Sequence, residues 1–491
     1  MRFREVIAEL PGLEGQAGDD TLEIGGLTHD SRLVRPGDLF CCIPGARMDG
    51  HAFIAAALNR GARALMVQGA GNLRRVPEGV PAAAVTRVRE AMPPAACAVF
   101  GHPTRTLRLI GITGTNGKTS TCYLVDSILR AAGETTGVLS TLEVRIPGRA
   151  PEEAGRTTPE ASDLQRWLRA MVDGGAAWAS MEVSSHALVI GRVDGTVFDT
   201  VAFTNLTHDH LDFHQTPEAY LEAKRLLFQP RFARADGHGA VVNVDDPAGH
   251  ALADACIGPM VGVGTAEHAA VRLVGWEVRT TGTSIDLLVR GEPMHLKARL
   301  RGLYTVRNVA LAAGIGLAVG IDPETVRAGI ESLTCVPGRL EPVGPVEGAP
   351  LVLVDYAHTP DGLRNVLQSV REMTDNRVIV VFGCGGDRDR TKRPEMGAAA
   401  AELADVCIVT SDNPRSEDPN AIIDEIIPGL AGAPHERIVD RREAILRAVT
   451  CGRPGDIVVL AGKGHETYQE FASGRIDFDD RRVAAEALGL E

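Results

Sequence analysis

Aromatic residues make up only 4% of the 491 residues, too few to supply the stacking platforms that single-stranded nucleic acids require. Positive charge is also short: 51 Lys and Arg face 64 Asp and Glu, for a formal net charge of −13. Nucleic acids and anionic membrane surfaces need a positive footprint, so neither is expected as a partner. The nine cysteines are odd in number and contain no CxxC pair, which excludes a disulfide framework and a structural zinc site of the usual spacing. Cys407, inside the apolar run Val406–Val409, reads as packing. An uninterrupted apolar stretch of about 18 residues is missing too, so no membrane insertion is expected. Met1–Leu10 carries acids where a secretion signal has its apolar core, and the expected location is the cytoplasm. What is present is ordinary for a globular protein, with 44% hydrophobic and 23% charged residues. At roughly 150 residues per domain the length suits three domains.

Three regions separate by pattern. Residues 1–104 are a mixed α/β segment with short strands and turn signals at Leu27–Arg32 and Arg35–Phe40, ending in an alanine- and proline-rich stretch. Residues 105–336 open with the apolar run Leu107–Ile112, a glycine turn and a helical pattern over Lys118–Ala132. Buried strands are predicted at Ala177–Val183, Thr200–Thr204 and Ala240–Val244, with a helix at Glu218–Phe228 between them. In residues 337–491 the alternation restarts: strands at Leu351–Asp355, Arg377–Phe382, Val406–Thr410 and Asp456–Leu460, helices at Asp361–Met373, Pro394–Leu403 and Arg442–Val449. Strand and helix alternation of this kind predicts parallel sheets covered on both faces. In such sheets chemistry gathers at the carboxyl ends of the strands.

The sharpest local signal is Gly111-Ile-Thr-Gly-Thr-Asn-Gly-Lys-Thr-Ser120, between a predicted strand and a predicted helix. Gly114 and Gly117 let backbone N–H groups turn toward one point, the helix N-terminus adds positive potential, and Lys118 brings a charge to terminal phosphates. Thr119 is placed to ligate magnesium. Five residues rather than the usual four separate Gly111 from Gly117. A glycine-rich connector with an incidental lysine is the plain alternative.

A second cluster, Thr204–His214, holds three histidines and two aspartates within the seven residues 208–214. It reads as a hard-cation site beside a nucleotide, or as a solvated loop capping a helix. A dinuclear metallohydrolase signature begins correctly with His208, His210 and Asp212, then fails at Phe213. Glu182, inside Met181-Glu-Val-Ser-Ser-His186, must be paired or ligating, because an isolated buried carboxylate is costly. Lys224, in Tyr220–Phe228, reads from spacing alone as a solvated helix residue.

Taken with Gly302–Asn308, Pro337–Glu341, Asp355–Pro360, Gly383–Arg388, Asp412–Arg415 and Gly462–Glu466, these segments resemble the Mur ligase family, ATP-dependent amide ligases of peptidoglycan synthesis. The resemblance spans all three regions. It implies an N-terminal UDP-substrate-binding domain, a central P-loop-like ATPase domain and a C-terminal Rossmann-like, amino-acid-binding domain. It also implies formation of an amide through an acyl phosphate. Gly114, Thr115, Asn116, Gly117, Lys118, Thr119 and Ser120 would hold ATP, together with Asn308 at the adenine, Arg339 at the γ-phosphate and Asp355 at the ribose. Thr119, Glu182, His210 and Lys224, the last as N6-carboxylysine, would hold Mg2+. Lys118, Glu182, His210 and Lys224 would carry the catalysis.

On the substrate side the resemblance assigns His29, Ser31, Ala46, Arg47, Met48, Thr157, Thr158, Ser184 and Arg192 to the UDP-linked substrate. Arg156 and Ile190 stand where asparagine and glutamine are common in the family. Arg388, Asp412, Asn413, Pro414, Arg415, Gly462 and Glu466 would bind the amino acid. The pattern fits members that add meso-2,6-diaminopimelate to the D-Glu carboxylate of UDP-MurNAc-L-Ala-D-Glu. The guanidinium of Arg415 suits the distal carboxylate that lysine lacks, and stranding it would reject lysine by roughly four orders of magnitude. Glu466 suits the distal ammonium. The expected protein is a monomer with small-molecule partners only. A lysine-adding member, a folylpolyglutamate synthase-like ligase, a nucleotide switch and the metallohydrolase remain as alternatives.

Overall fold

The computed structural model describes residues 1–45, 48–207, 209–254, 256 and 258–490, and for Leu211 and Asp212 the backbone alone. The chain divides into two compact units, Met1–Val271 with Leu311–Val326 and Arg272–Ala310 with Arg327–Glu491.

The first unit begins with a five-stranded sheet in the order Leu13–Ala17, Ala82–Val85, Ala64–Gln68, Asp38–Cys41, Gly26–Thr28. Only its first pair is antiparallel. Alternate residues of these strands feed two apolar clusters, one through Leu39, Met66 and Ala83, the other through Phe40, Leu65 and Ala84. Burial on both faces explains why the strands read as continuous apolar runs. The unit continues with parallel strands in the order Met260–Gly264, Gly239–Asn243, Thr200–Phe203, Arg108–Thr113, Trp178–Glu182, Thr136–Leu139. Val144–Arg145 pairs antiparallel at the far edge. The helix Lys118–Ala131 covers one face with Ile128 against Gly316. Leu164, Leu168, Phe198 and Phe232 pack together in a core cluster with alternate strand residues such as Leu109 and Met181.

The second unit carries a six-stranded sheet in the order Glu341–Val343, Leu351–Asp355, Ile457–Ala461, Val378–Phe382, Val406–Val409, His435–Arg437, parallel except for its first pair. Val380 and Val459 point into one apolar cluster, Val381 and Val458 into the other. A hairpin of Gly282–Val289 and Glu292–Ala298 also belongs to this unit. The mixed α/β class and the parallel-rich sheets agree with the sequence. Predicted strand limits agree with the observed ones to within one residue at either end.

Candidate active site

The loop after Arg108–Thr113 runs close against Thr204 at the end of the neighbouring strand. Gly114 has φ 147°, and a Cβ there would lie 1.8 Å from the Thr204 hydroxyl, so only glycine permits the approach. Asn205 holds the loop: its side-chain Oδ1 accepts from the Asn116 amide at 2.9 Å, and its carbonyl accepts from the Thr115 amide at 2.8 Å. Lys118 Nζ folds back onto the Gly114 and Thr115 carbonyls at 2.9 and 2.8 Å. The amide-rich turn therefore opens onto the start of a 14-residue helix with its lysine at the mouth. That is an anion-binding arrangement.

Glu182, at the carboxyl end of its strand and 1% exposed, is held by hydrogen bonds. Its Oε1 accepts from the Thr119 hydroxyl at 2.9 Å and the Thr141 amide at 2.8 Å, and its Oε2 from the Thr141 hydroxyl at 3.3 Å. Thr119 and Glu182 thus meet as adjacent oxygen donors at the phosphate end of the helix, a donor set that suits a hard cation such as magnesium. Among the described residues no three His, Cys, Asp or Glu side chains group as a metal cluster. His208 and the side chain of Asp212 lie outside the described residues. His210, with φ 56°, packs its ring edge-on against His186 at 4.9 Å and Tyr220 at 6.0 Å.

Thr216 and Pro217 start the next helix, with the Thr216 hydroxyl accepting from the Ala219 amide. Tyr220 and Lys224, four residues apart, fall on one face of it, and that face is buried. Lys224 is 1% exposed, with Nζ 4.2 Å from the Tyr220 ring centre. The solvated position suggested by spacing is therefore corrected. Burial, reinforced by Lys118, pushes the Lys224 ammonium well below the ordinary lysine range, and Asp209 offsets little of it. The Tyr220 phenol, raised to about 12 by burial, shares a hydrogen bond of 3.1 Å with the Thr115 hydroxyl. Tyr220 so links Lys224 to the phosphate loop, a role the sequence did not single out.

Thr157, Thr158, Ser184 and Arg192 come together. The Thr158 hydroxyl accepts from the Ser184 amide at 3.0 Å and donates to the Glu182 carbonyl at 2.9 Å, while Arg192 donates to the Thr158 carbonyl at 3.1 Å. Arg192, Arg156 and Arg89 converge on Glu160 at 2.9–3.1 Å. Burial alone would raise the Glu160 carboxyl, yet Arg192 and Arg89 outweigh it and hold it below the usual range. Arg89 and Glu160 were missed in the sequence, where neither belongs to a recognisable motif. His29 bonds Ser162 at 2.9 Å, Ser31 is half-buried and Met48 is exposed. Ala46 and Arg47 lie outside the described residues.

In the second unit Asp355 closes its strand with both oxygens engaged, by the Leu340 and Ala357 amides at 2.8 and 2.9 Å and the Tyr304 hydroxyl at 3.3 Å. Burial raises its carboxyl, with Arg339 opposing. The Arg339 guanidinium sits 5.2 Å over Tyr356. Asn308 is buried, and its Nδ2 has no hydrogen-bond partner among the described residues. That leaves a donor for a ligand acceptor.

The loops Gly383–Arg388 and Asp412–Arg415 touch through Gly386, where a Cβ would lie 1.9 Å from the Pro414 carbonyl oxygen. Arg415, with φ 51°, donates to the Gly386 carbonyl at 2.7 Å and pairs with Glu470 at 3.3 Å. The expectation that a missing ligand carboxylate strands this guanidinium is corrected: Glu470 already balances it. Pro414 supplies the carbonyl at that contact, and Arg388 is exposed beside Gly385. Asn413 donates to Glu466 at 2.8 Å, and Gly462 packs against the Asp412 carboxylate.

A phosphate turn with paired oxygen donors and two buried or folded-back lysines suit an ATP-dependent acid–amine ligase. Residues 23–105 match the Mur ligase family catalytic domain, 112–316 the Mur ligase middle domain and 338–464 the Mur ligase glutamate ligase domain. The chain belongs to the Mur ligase family. It is 43% identical to the UDP-N-acetylmuramoyl-L-alanyl-D-glutamate–2,6-diaminopimelate ligase of Bacillus licheniformis, over 99% of both chains. To the enzyme of that name from Streptomyces coelicolor it is 45% identical, over 98% of this chain and 96% of the relative. A solved structure of a ligase with the same name superposes with TM-score 0.69 at 31% identity, covering 100% of this chain and 99% of that one.

Proposed function

We propose that this protein joins meso-2,6-diaminopimelate to the D-Glu carboxylate of UDP-MurNAc-L-Ala-D-Glu at the expense of ATP. The observation that carries the reading is the full-length match to diaminopimelate ligases, in a chain where Asn413 and Glu466 are hydrogen-bonded to each other and Arg415 lies in the same loop as Asn413. A guanidinium for the distal carboxylate and a carboxylate for the distal ammonium fit diaminopimelate and only half fit lysine. The lysine-adding and folylpolyglutamate alternatives have no comparable support.

The three regions divide the labour: 1–104 binds the UDP portion, 105–336 ATP and the acceptor carboxylate, and 337–491 the amino acid. Lys118 and the amides of Gly114–Thr119 hold the triphosphate, with Asn308 on adenine, Arg339 at the γ-phosphate and Asp355 at the ribose. Thr119, Glu182 and His210 would hold magnesium, which would supply positive charge between the phosphates and the incoming carboxylate. Thr157, Thr158, Ser184 and Arg192 orient the muramoyl-dipeptide, and His29, Ser31 and the 46–48 loop the uridine diphosphate. A carboxylate oxygen of D-Glu attacks the γ-phosphorus and ADP departs. The diaminopimelate amine then attacks the acyl carbon, inorganic phosphate leaves and the nitrogen loses a proton.

Lys224 takes up CO2 before turnover. Its neutral amine attacks the carbon of CO2, forms an N–C bond and releases a proton, leaving a carboxylate-like anion for a second magnesium. The lowered basicity of a buried lysine supports this. The enzyme works as a monomer in the cytoplasm, and none of its described helices is long and apolar enough to cross a membrane. Phosphate release from ATP with UDP-MurNAc-L-Ala-D-Glu is expected with meso-diaminopimelate and not with L-lysine or without an amino acid. Release with lysine alone would overturn the specificity, and release with no acceptor would overturn the ligase.

A further inference from the structure

The turn that carries Gly462 and Glu466 also carries Lys463, whose side chain is 0% exposed. Its Nζ donates to Glu466 Oε2 at 2.8 Å and to Asn413 Oδ1 at 3.2 Å. Asn413 closes the triangle by donating its Nδ2 to the same Glu466 oxygen at 2.8 Å. The amide of Glu470 donates to Asn413 Oδ1 at 3.0 Å, so that oxygen faces two donors. A flipped amide would set its NH2 against an ammonium and an N–H, which fixes the orientation of Asn413. The Tyr468 ring lies 5.3 Å from Nζ. A buried ammonium is expensive unless it is paired and hydrogen-bonded. Both acceptors that meet the cost here are residues of the proposed amino-acid pocket.

We infer that Lys463 is a positioning residue for the amino-acid substrate. It holds the Glu466 carboxylate and the Asn413 amide in one geometry, so that Glu466 meets the substrate's distal ammonium with Oε1, the oxygen outside the triangle. This rests on the proposed reading of Glu466 as that contact. Lys463 touches neither ATP nor the reacting atoms; it acts through Glu466. A preorganised carboxylate loses no rotamer freedom when the ligand arrives. Removal of Lys463 therefore weakens binding of the amino acid and leaves the phosphate chemistry alone.

The test is steady-state kinetics of the full-length enzyme with meso-diaminopimelate varied, for wild type, Glu466→Gln, Lys463→Met, Lys463→Arg and the double variant Lys463→Met/Glu466→Gln. Lys463→Met is expected to raise KM for diaminopimelate by about 10- to 100-fold, the range for a hydrogen bond to a charged group, with KM for ATP unchanged. Lys463→Arg is expected to recover part of the loss. In the double variant the two effects on KM are expected to fall well short of their product, because one acts through the other. A diaminopimelate KM within twofold of wild type for Lys463→Met, or multiplicative effects in the double variant, would overturn the inference. If Lys463→Met fails to fold, Lys463→Gln, which keeps a donor without charge, takes its place under the same criterion. Failure of every variant to fold makes the residue structural and also overturns it. If Glu466→Gln itself leaves KM for diaminopimelate unchanged, the reading of the pocket has failed instead.

Discussion

Two lysines in this chain are equally hidden and differently equipped. Lys224 lies beside the phosphate turn at 1% exposure, against the face of Tyr220, and among the described residues no carboxylate pairs with it. Lys463, at 0% exposure, has Glu466 and Asn413 as direct acceptors. Burial disfavours charge in both places, and only the second place gives the charge back a partner. In the proposed reading the first place keeps an amine for reaction with CO2, while the second holds Glu466 and Asn413 in one geometry. Exposure alone does not distinguish the two lysines; the acceptors within 3.5 Å do.

The largest expected effect concerns the paired kind of buried cation. Arg441 and Asp480 are both 0% exposed and bonded at 2.7 and 2.8 Å. Asp480→Asn is expected to destabilise the protein by about 3–5 kcal/mol in denaturant unfolding, because it leaves a buried charge unpaired. Lys224→Met has no such charge to strand and is expected to leave the unfolding midpoint unchanged or raised. An equal loss in both variants would erase the distinction.

Activity is expected to show the reverse. Lys224→Ala should lower turnover by about 10²–10³-fold, the scale of removing one charge-stabilising group from a reaction centre, with partial recovery on adding short carboxylates. Full activity without them would contradict the assigned role. A smaller change is expected at Arg415→Ala, where KM for diaminopimelate should rise about 10- to 100-fold. Because Glu470 balances Arg415 in the wild type, Glu470→Gln should alter the ratio of diaminopimelate to lysine use, and an unchanged ratio would show that Glu470 plays no part in selection.

The smallest effect is a pH dependence. The native pKa of unmodified Lys224 lies below its ordinary value of 10.5, so between the two the unfolded chain binds more protons and stability rises with pH. In CO2-depleted buffer the wild type should gain stability relative to Lys224→Met as pH increases toward that value, by at most about 1.4 kcal/mol per pH unit. A flat difference would mean that Lys224 is charged in the native state.

Much of the site was legible because the chemistry uses backbone geometry that only certain residues provide. The phosphate turn follows from glycine placement and the strand-end positions of Glu182 and Asp355 from apolar runs, whereas the Asp412–Arg415 loop entered through its resemblance to the Mur ligase family. The burial of Lys224 was not legible from spacing alone, because a helix of nine residues does not reveal which of its faces is covered. Nor was the Glu160 cluster, whose arginines come from positions 89, 156 and 192 and meet only after folding. Glu470 escaped for a similar reason: it reaches Arg415 from the strand Tyr468–Phe471, a distance of 55 residues along the chain. The strand Ala82–Val85 was not singled out because an alanine-rich run carries little strand signal.

The most direct test of the central claim is a competition in one vessel. The enzyme, ATP, magnesium and UDP-MurNAc-L-Ala-D-Glu are mixed with equal concentrations of meso-diaminopimelate and L-lysine, and the nucleotide products are weighed by mass spectrometry. The account predicts the diaminopimelate tripeptide alone, formed one for one with ADP. A lysine-containing product of comparable amount, or ADP without any tripeptide, would contradict it.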